Sequence, residues 1–194
     1  MNKFTRRTVI AAACAAAAMT FAPMSFAQQA PEKKDVTIAV GGKSLYYYLP
    51  LSIAEQLGYF KDEGLNVKIV DFQGGSRSLQ AVVGGSADVV SGAFEHTISM
   101  QAQKQPMTAF VLQGRAPQLA LVVSNKTMKD YKQLSDLKGK KVGVTAPGSS
   151  SQMVANFILK KGGLGPKAVA FIGVGSSSGA VSANSSGQID VLIN

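Results

Sequence analysis

The sequence predicts a two-lobed α/β protein whose lobes are parallel-sheet βαβαβ units, the second of them incomplete. Three observations lead to this reading. Short β-branched runs alternate with helical ones, the same order of five elements occurs twice, and glycine-serine turns stand at matching places in both passes. Alternation of this kind places parallel strands in one sheet under helices, joined by right-handed crossovers.

Residues 1–27 read as an export leader and stand apart from the fold. Lys3, Arg6 and Arg7 give a positive start, residues 8–21 an apolar, alanine-rich stretch, and Ser25-Phe26-Ala27 small residues suited to cleavage after Ala27. The stretch is shorter than the roughly 20 residues of a spanning helix, so removal is expected rather than anchoring. Arg6-Arg7 resembles a twin-arginine signal, but Val9-Ile10 stands where that pattern has Phe-Leu, which leaves both export routes open. Cys14 is the single cysteine and lies inside the leader, after too short an apolar run for a lipid-attachment box. The remainder therefore has no thiol for catalysis, disulfide or metal.

In the first pass, residues 36–40 form a strand ended by Gly41-Gly42, and Leu51, Ile53, Ala54 and Leu57 recur at helical spacing before Gly58. Residues 67–72 form a second strand, 77–83 a helix and 88–91 a third strand. In the second pass the strand at 141–145 leads through Pro147-Gly148 to a helix with Met153, Val154, Phe157, Ile158 and Leu159 on one face. A strand at 169–174, a weaker helix to about residue 186 and a strand at 189–193 complete it. Gly75-Ser76 is matched by Gly175-Ser176, and Gly85-Ser86-Ala87-Asp88-Val89 by Gly187-Gln188-Ile189-Asp190-Val191. Between the passes come a short helix at 95–103 and two strand-like runs at 108–112 and 119–124, followed by a polar connection at 126–138. The expected layout is a leader at 1–27, a first lobe at 28–115, a crossover segment at 116–140 and a partial second lobe at 141–194.

Composition narrows the function. The net charge of +9 falls to +6 once Lys3, Arg6 and Arg7 leave, and the lysines sit in pairs such as Lys33-Lys34, Lys140-Lys141 and Lys160-Lys161. A nucleic-acid binder would carry a dense basic stripe with interleaved aromatics, so these pairs read as solvated surface. There is no Cys/His pair, no cluster of metal ligands and no phosphate loop of the Gly-x-x-x-x-Gly-Lys kind. No enzymatic activity, cofactor or metal is expected.

Ligands of open α/β sheets bind outside the carboxyl ends of the strands. Those ends are residues 41–48, 74–76 and 92–96 in the first lobe, and 146–151 and 175–178 in the second. Pro147-Gly148-Ser149-Ser150-Ser151 gathers backbone N–H groups, a helix N-terminus and three hydroxyls, which suits an oxygen of a sulfonate, carboxylate, phosphate or nitrate. A plain helix cap explains the same serines equally well. Gly75 and Ser76 open the facing turn, and Tyr47 and Tyr48, with Tyr46, offer aromatic walls, at least one of the three belonging to the core. Phe94, Glu95 and His96 follow the third strand; Glu95 either repels anions or selects a cationic or hydrogen-bonding group. Arg77 reads as an exposed helix residue that could also steady an anion.

Residues 57–65, the Gly74-Gly75 turn, Gly85-x-x-Asp88-Val89, residues 136–144 and Pro147-Gly148-Ser149 together resemble the nitrate-, sulfonate- and taurine-type periplasmic binding proteins of ABC importers. That resemblance implies a type 2 periplasmic binding protein: two lobes, a hinge, a small and probably anionic solute, a permease partner, a monomer and a periplasmic location. It carries over to Gly75, Ser76, Phe94, Glu95, His96, Gly148, Ser149 and Ser150 as ligand-facing positions. Members of the group return from the second lobe to complete the first, so a chain ending at Asn194 is expected to be truncated. A related branch contains a thiamine pyrimidine synthase, the enzymatic alternative, and a sensory module is the other.

Overall fold

The protein is described by a computed structural model for residues 31–194; the expected leader, its cleavage point and Cys14 lie outside the described residues. The first sheet has the order β2-β1-β3 and is parallel throughout, with β1 (Asp35–Val40), β2 (Asn66–Asp71) and β3 (Val89–Ser91). Ile38 pairs with Ile69 on one side and Val89 on the other, so β1 is the central strand. Alternation along β1 separates the two faces. Ile38 and Val40 pack with Tyr48 and with Leu51 of α1 (Leu49–Gln56), whereas Ala39 packs with Ala81 of α3 (Gly75–Val83) and with Ala87. The methyl group of Ala39 is what lets α3 lie close to the sheet. The short helix α2 (Tyr59–Asp62), which periodicity does not anticipate, follows α1.

The second sheet has the order β4-β7-β5-β6, with β4 (Leu121–Val123), β5 (Lys141–Val144), β6 (Ala170–Gly173) and β7 (Val191–Ile193). β5 is parallel to β6 and β7, as the repeated pattern requires. β4 is antiparallel to β7, and paired bonds between Ala120 and Asn194 extend that ladder. One face of this sheet holds Val142, Val144, Val191 and Ile193 against Ala155 and Leu159 of α5 (Ser150–Lys161). The other buries Leu192 with Ala180, Ala183 and Ile189 around α6 (Ser178–Ser186). Residues Glu32–Asn194 form one unit.

Two expectations differ from the structure. Residues 108–112 form no strand, and Phe110, Val111 and Leu112 are exposed, because no described strand lies alongside to take their backbone groups. The loop after β1 is not an open aromatic wall: Tyr46–Tyr48 forms a 3-10 turn that sends Tyr48 into the core.

The internal repeat extends to single hydrogen bonds. Asp88 Oδ2 accepts from Thr37 N at 2.8 Å, and Asp190 Oδ2 accepts from Lys141 N at 2.8 Å. Each aspartate also donates its own N–H to the carbonyl of that same residue, at 2.9 Å in both cases. Each thereby closes a ring with the central strand of its sheet, which sets the register of the strand that follows. The hydrogen bond from Lys33, with that from Thr37 N, holds the Asp88 carboxyl below its ordinary value of 3.8. At Asp190 burial acts upward but is outweighed by the Lys141 N–H, so this carboxyl is also lowered.

Two outcomes follow. Leu159 is 1% exposed, so Leu159→Ala should cost about 3 kcal/mol in chemical denaturation. Because the folded values of Asp88 and Asp190 are lowered, their contribution is complete above 3.8 and disappears as pH falls through the lowered folded values. Replacing both with alanine should therefore flatten the acid limb of the stability profile below that pH while lowering stability at neutral pH.

Candidate functional site

The carboxyl ends of β1, β2, β5 and β6 carry the loops through which the two sheets meet. Gly74 has a φ of 83°, and a Cβ there would stand about 3.0 Å or less from Ser149, Thr145 and Ala146 of the second lobe. Only glycine combines that backbone with that approach. Ser76, in the first turn of α3, then reaches the loop after β5. Its N–H donates to Ser149 Oγ at 3.1 Å, and its hydroxyl donates to the Pro147 carbonyl at 2.9 Å. The two serine oxygens are 3.1 Å apart. With the Ser76 proton on Pro147, Ser149 is the donor in that last contact.

The contact is reciprocated. Ser176, after β6, lies against Gly42, after β1, so that a Cβ on Gly42 would be 2.3 Å from its Oγ. Each lobe's glycine-serine turn thus meets the first loop of the other lobe, which gives the sequence repeat a geometric meaning.

Ser149 is the N-cap residue of α5, with an extended backbone (φ −79°, ψ 165°), yet its side chain does not cap that helix. Its carbonyl accepts from Gln152 N and Met153 N while its hydroxyl serves α3, where Gly74 has no side chain to offer. Fully buried, Ser149 caps across the lobes. Ser151 turns the opposite way, its Oγ accepting from Thr145 N at 2.9 Å within its own loop, and Gly148 N donates to Gln152 Oε1 at 2.6 Å. Of the three hydroxyls foreseen at one point, Ser149 faces the other lobe, Ser151 locks its own loop, and Ser150 is half-buried.

In the first lobe α4 (Glu95–Ala102) brings His96 to α3. The imidazole is 5% exposed, and its Nε2 has no hydrogen-bond partner. That nitrogen lies 3.1 Å from where a Cβ on Gly75 would be. Burial lowers the His96 pKa from 6.5, opposed by the charge of Glu95. Tyr47, half-buried, is raised by burial and then by Glu95, so Tyr47, Glu95 and His96 share one electrostatic neighbourhood. Tyr48 is a core residue whose hydroxyl accepts from Gly41 N at 3.2 Å and whose pKa burial pushes up to about 12. Phe94 and Arg77 are exposed, as is Gly148. The structure therefore brings Gly75, Ser76, His96 and Ser149 together and leaves Tyr48 out. Thr145, Pro147, Gly42 and Ser176 join the lobe contact unforeseen; their doubled glycine-serine turns were the available signal.

Elsewhere, a cavity of about 440 Å³ lies at the amino ends of β1 and β2, lined by Asp35, Glu55, Phe60, Lys61, Asn66 and Lys68 among others. It is at the wrong end of the sheet for these loops. Among the described residues there is no cluster of three or more potential metal ligands, and no helix is long and apolar enough to cross a membrane.

Two covered sheets meeting through the loops at their strands' carboxyl ends define the periplasmic-binding-protein fold, and solved structures bear that out. The alkanesulfonate-binding protein SsuA of Xanthomonas axonopodis pv. citri, solved with bound MOPS, superposes with a TM-score of 0.59 at 21% identity, over 84% of this chain and 55% of that one. A protein of solved structure from Bordetella bronchiseptica RB50 is 64% identical, with a TM-score of 0.82 over 84% of this chain and 51% of that one. Residues 46–194 match the NMT1/THI5-like model, and the chain belongs to that family. A curated relative, the 4-amino-5-hydroxymethyl-2-methylpyrimidine phosphate synthase of Schizosaccharomyces pombe, is 26% identical over 68% of this chain and 37% of its own length. The chain spans about half the length, or less, of the proteins it matches.

Replacing Ser149 with alanine should speed amide hydrogen exchange at Ser76 and lower stability by about 1 kcal/mol, leaving the amides of Asp88 and Asp190 unaffected. Unchanged exchange at Ser76 would show that the two lobes do not hold each other through this hydroxyl.

Proposed function

We propose that the chain is the solute-capturing component of an ABC importer and binds a small oxyanion between its lobes for delivery to a permease. The observation that carries this is the meeting of two helix N-termini. α3 and α5 come from different lobes, and their first turns touch at Ser76 and Ser149. Each such end carries roughly half a positive charge and unpaired N–H groups. Bringing two together is unfavourable alone, and an anion between them is stabilised by both. Closure on solute then follows from contacts made to both lobes at once, a shift between open and closed populations.

The leader at residues 1–27 supports export to the periplasm and removal near Ala27. The ligand positions of this reading are Gly75, Ser76, His96, Ser149 and Ser150, with Tyr47, Phe94, Glu95 and Gly148 at the rim; the protein acts as a monomer without cofactor. A binding role rather than a synthase role is favoured because no cysteine follows Cys14, so residues 28–194 bring no thiol to a reaction.

The test is a thermal-shift and calorimetric titration of the purified chain with ethanesulfonate, nitrate and acetate. At a hundredfold excess over Kd a bound anion stabilises by about 2.7 kcal/mol, a rise in Tm of several degrees. At least one of the three should give a saturable shift that Ser76→Pro, which removes the α3 N–H donor, abolishes. A folded chain that none of the three shifts would refute the reading.

A further inference from the structure

We propose that His96 is the specificity-determining residue of this cleft: its Nε2 takes one oxygen of the oxyanion whose other oxygens lie at the first turn of α3. This rests on the anion reading above and adds which side chain reads the anion. Two independent features point to the same place. The first turn of α3, a nine-residue helix, presents N–H groups, and its Ser76 N–H is held by the hydroxyl of Ser149, the position a ligand oxygen would take. Beside it stands a polar nitrogen, more than nine-tenths buried, that no protein group satisfies. A buried polar atom without a partner costs about 1 to 3 kcal/mol, so its retention requires something to satisfy it.

Gly75 explains how a ligand reaches the ring. Its missing side chain leaves a cradle in front of Nε2, and a Cβ there would close to 3.1 Å. Gly75 does not have a positive φ, so no backbone demand selects glycine at this position. The field at a helix N-terminus favours negative ligand atoms, and against such an atom the imidazole acts as donor through Nε2–H.

The ionisable group acting on the ring is Glu95 on its own helix, whose charge opposes the effect of burial. α3 contributes Gly75 and the loop after β3 contributes Gly92, both uncharged. Tyr47 feels Glu95 as well, and its raised pKa keeps it protonated. Burial leaves His96 neutral near neutral pH, while a bound anion favours the imidazolium. Binding therefore takes up a proton, and affinity strengthens as pH falls.

The experiment measures ethanesulfonate and nitrate, both ionised throughout, against the unaltered chain, His96→Phe, His96→Gln and Gly75→Ala, between about pH 7.5 and pH 5.5. His96→Phe should weaken binding roughly ten- to hundredfold. His96→Gln, which keeps a donor at a similar reach, should retain most of the affinity at the upper pH but lose its increase towards the lower one. Gly75→Ala should leave the protein folded by circular dichroism and block binding. If the unaltered chain binds a probe and His96→Phe binds it equally well, or if the pH dependence persists in His96→Gln, the role of His96 is overturned while the anion site stands. If the unaltered chain binds neither probe, the site and the role of His96 both fall.

Discussion

The hydroxyl of Ser149 holds the arrangement together. It leaves its own helix uncapped and crosses to the first turn of α3, so a bond between lobes replaces a bond within one. That exchange is possible because the chain builds parallel sheets, whose strands all release their loops at the same end. Two such sheets, joined by the antiparallel β4, point those ends at each other, and the helices that follow necessarily bring their N-termini to the shared face. The small residues Gly42, Gly74, Ser76, Ser149 and Ser176 then let the two sets of loops touch. A polar, adaptable contact of this kind is weak enough for a ligand oxygen to replace, at about 1 kcal/mol per neutral bond against up to 3 for one to a charge.

Much of the fold was legible because it repeats. Strand order, the covering helices and the register-setting pair Asp88 and Asp190 all followed from comparing one half of the described chain with the other. What was not legible depended on neighbours distant in sequence. The apolar run at residues 108–112 has the composition of a strand, but β structure needs a partner, and among the described residues none is adjacent. The three tyrosines at 46–48 are alike in sequence, and only the 3-10 turn decides that Tyr48 points inward and Tyr46 outward. Likewise the serine run after Pro147 could be read as a cap or as a site. The answer, a cap for the opposite lobe, cannot be seen in a linear sequence.

The electrostatics of the site are graded. Two helix ends supply fixed positive potential, His96 supplies a group able to change its charge, and Glu95 sets a negative boundary beside Tyr47. Glu95 therefore acts on His96 rather than only repelling a solute, which resolves its two readings into one: it keeps a buried imidazole within reach of protonation. Phe94, exposed at the edge of α4, lies outside this set of groups.

The most direct test is a titration of the isotope-labelled chain with ethanesulfonate followed by amide chemical shifts. The account predicts the largest, saturable changes at Gly75, Ser76, Ser150 and Ser151, the first turns of α3 and α5, together with His96. Changes centred instead on Lys61 and Lys68, around the cavity at the amino ends of β1 and β2, would contradict it.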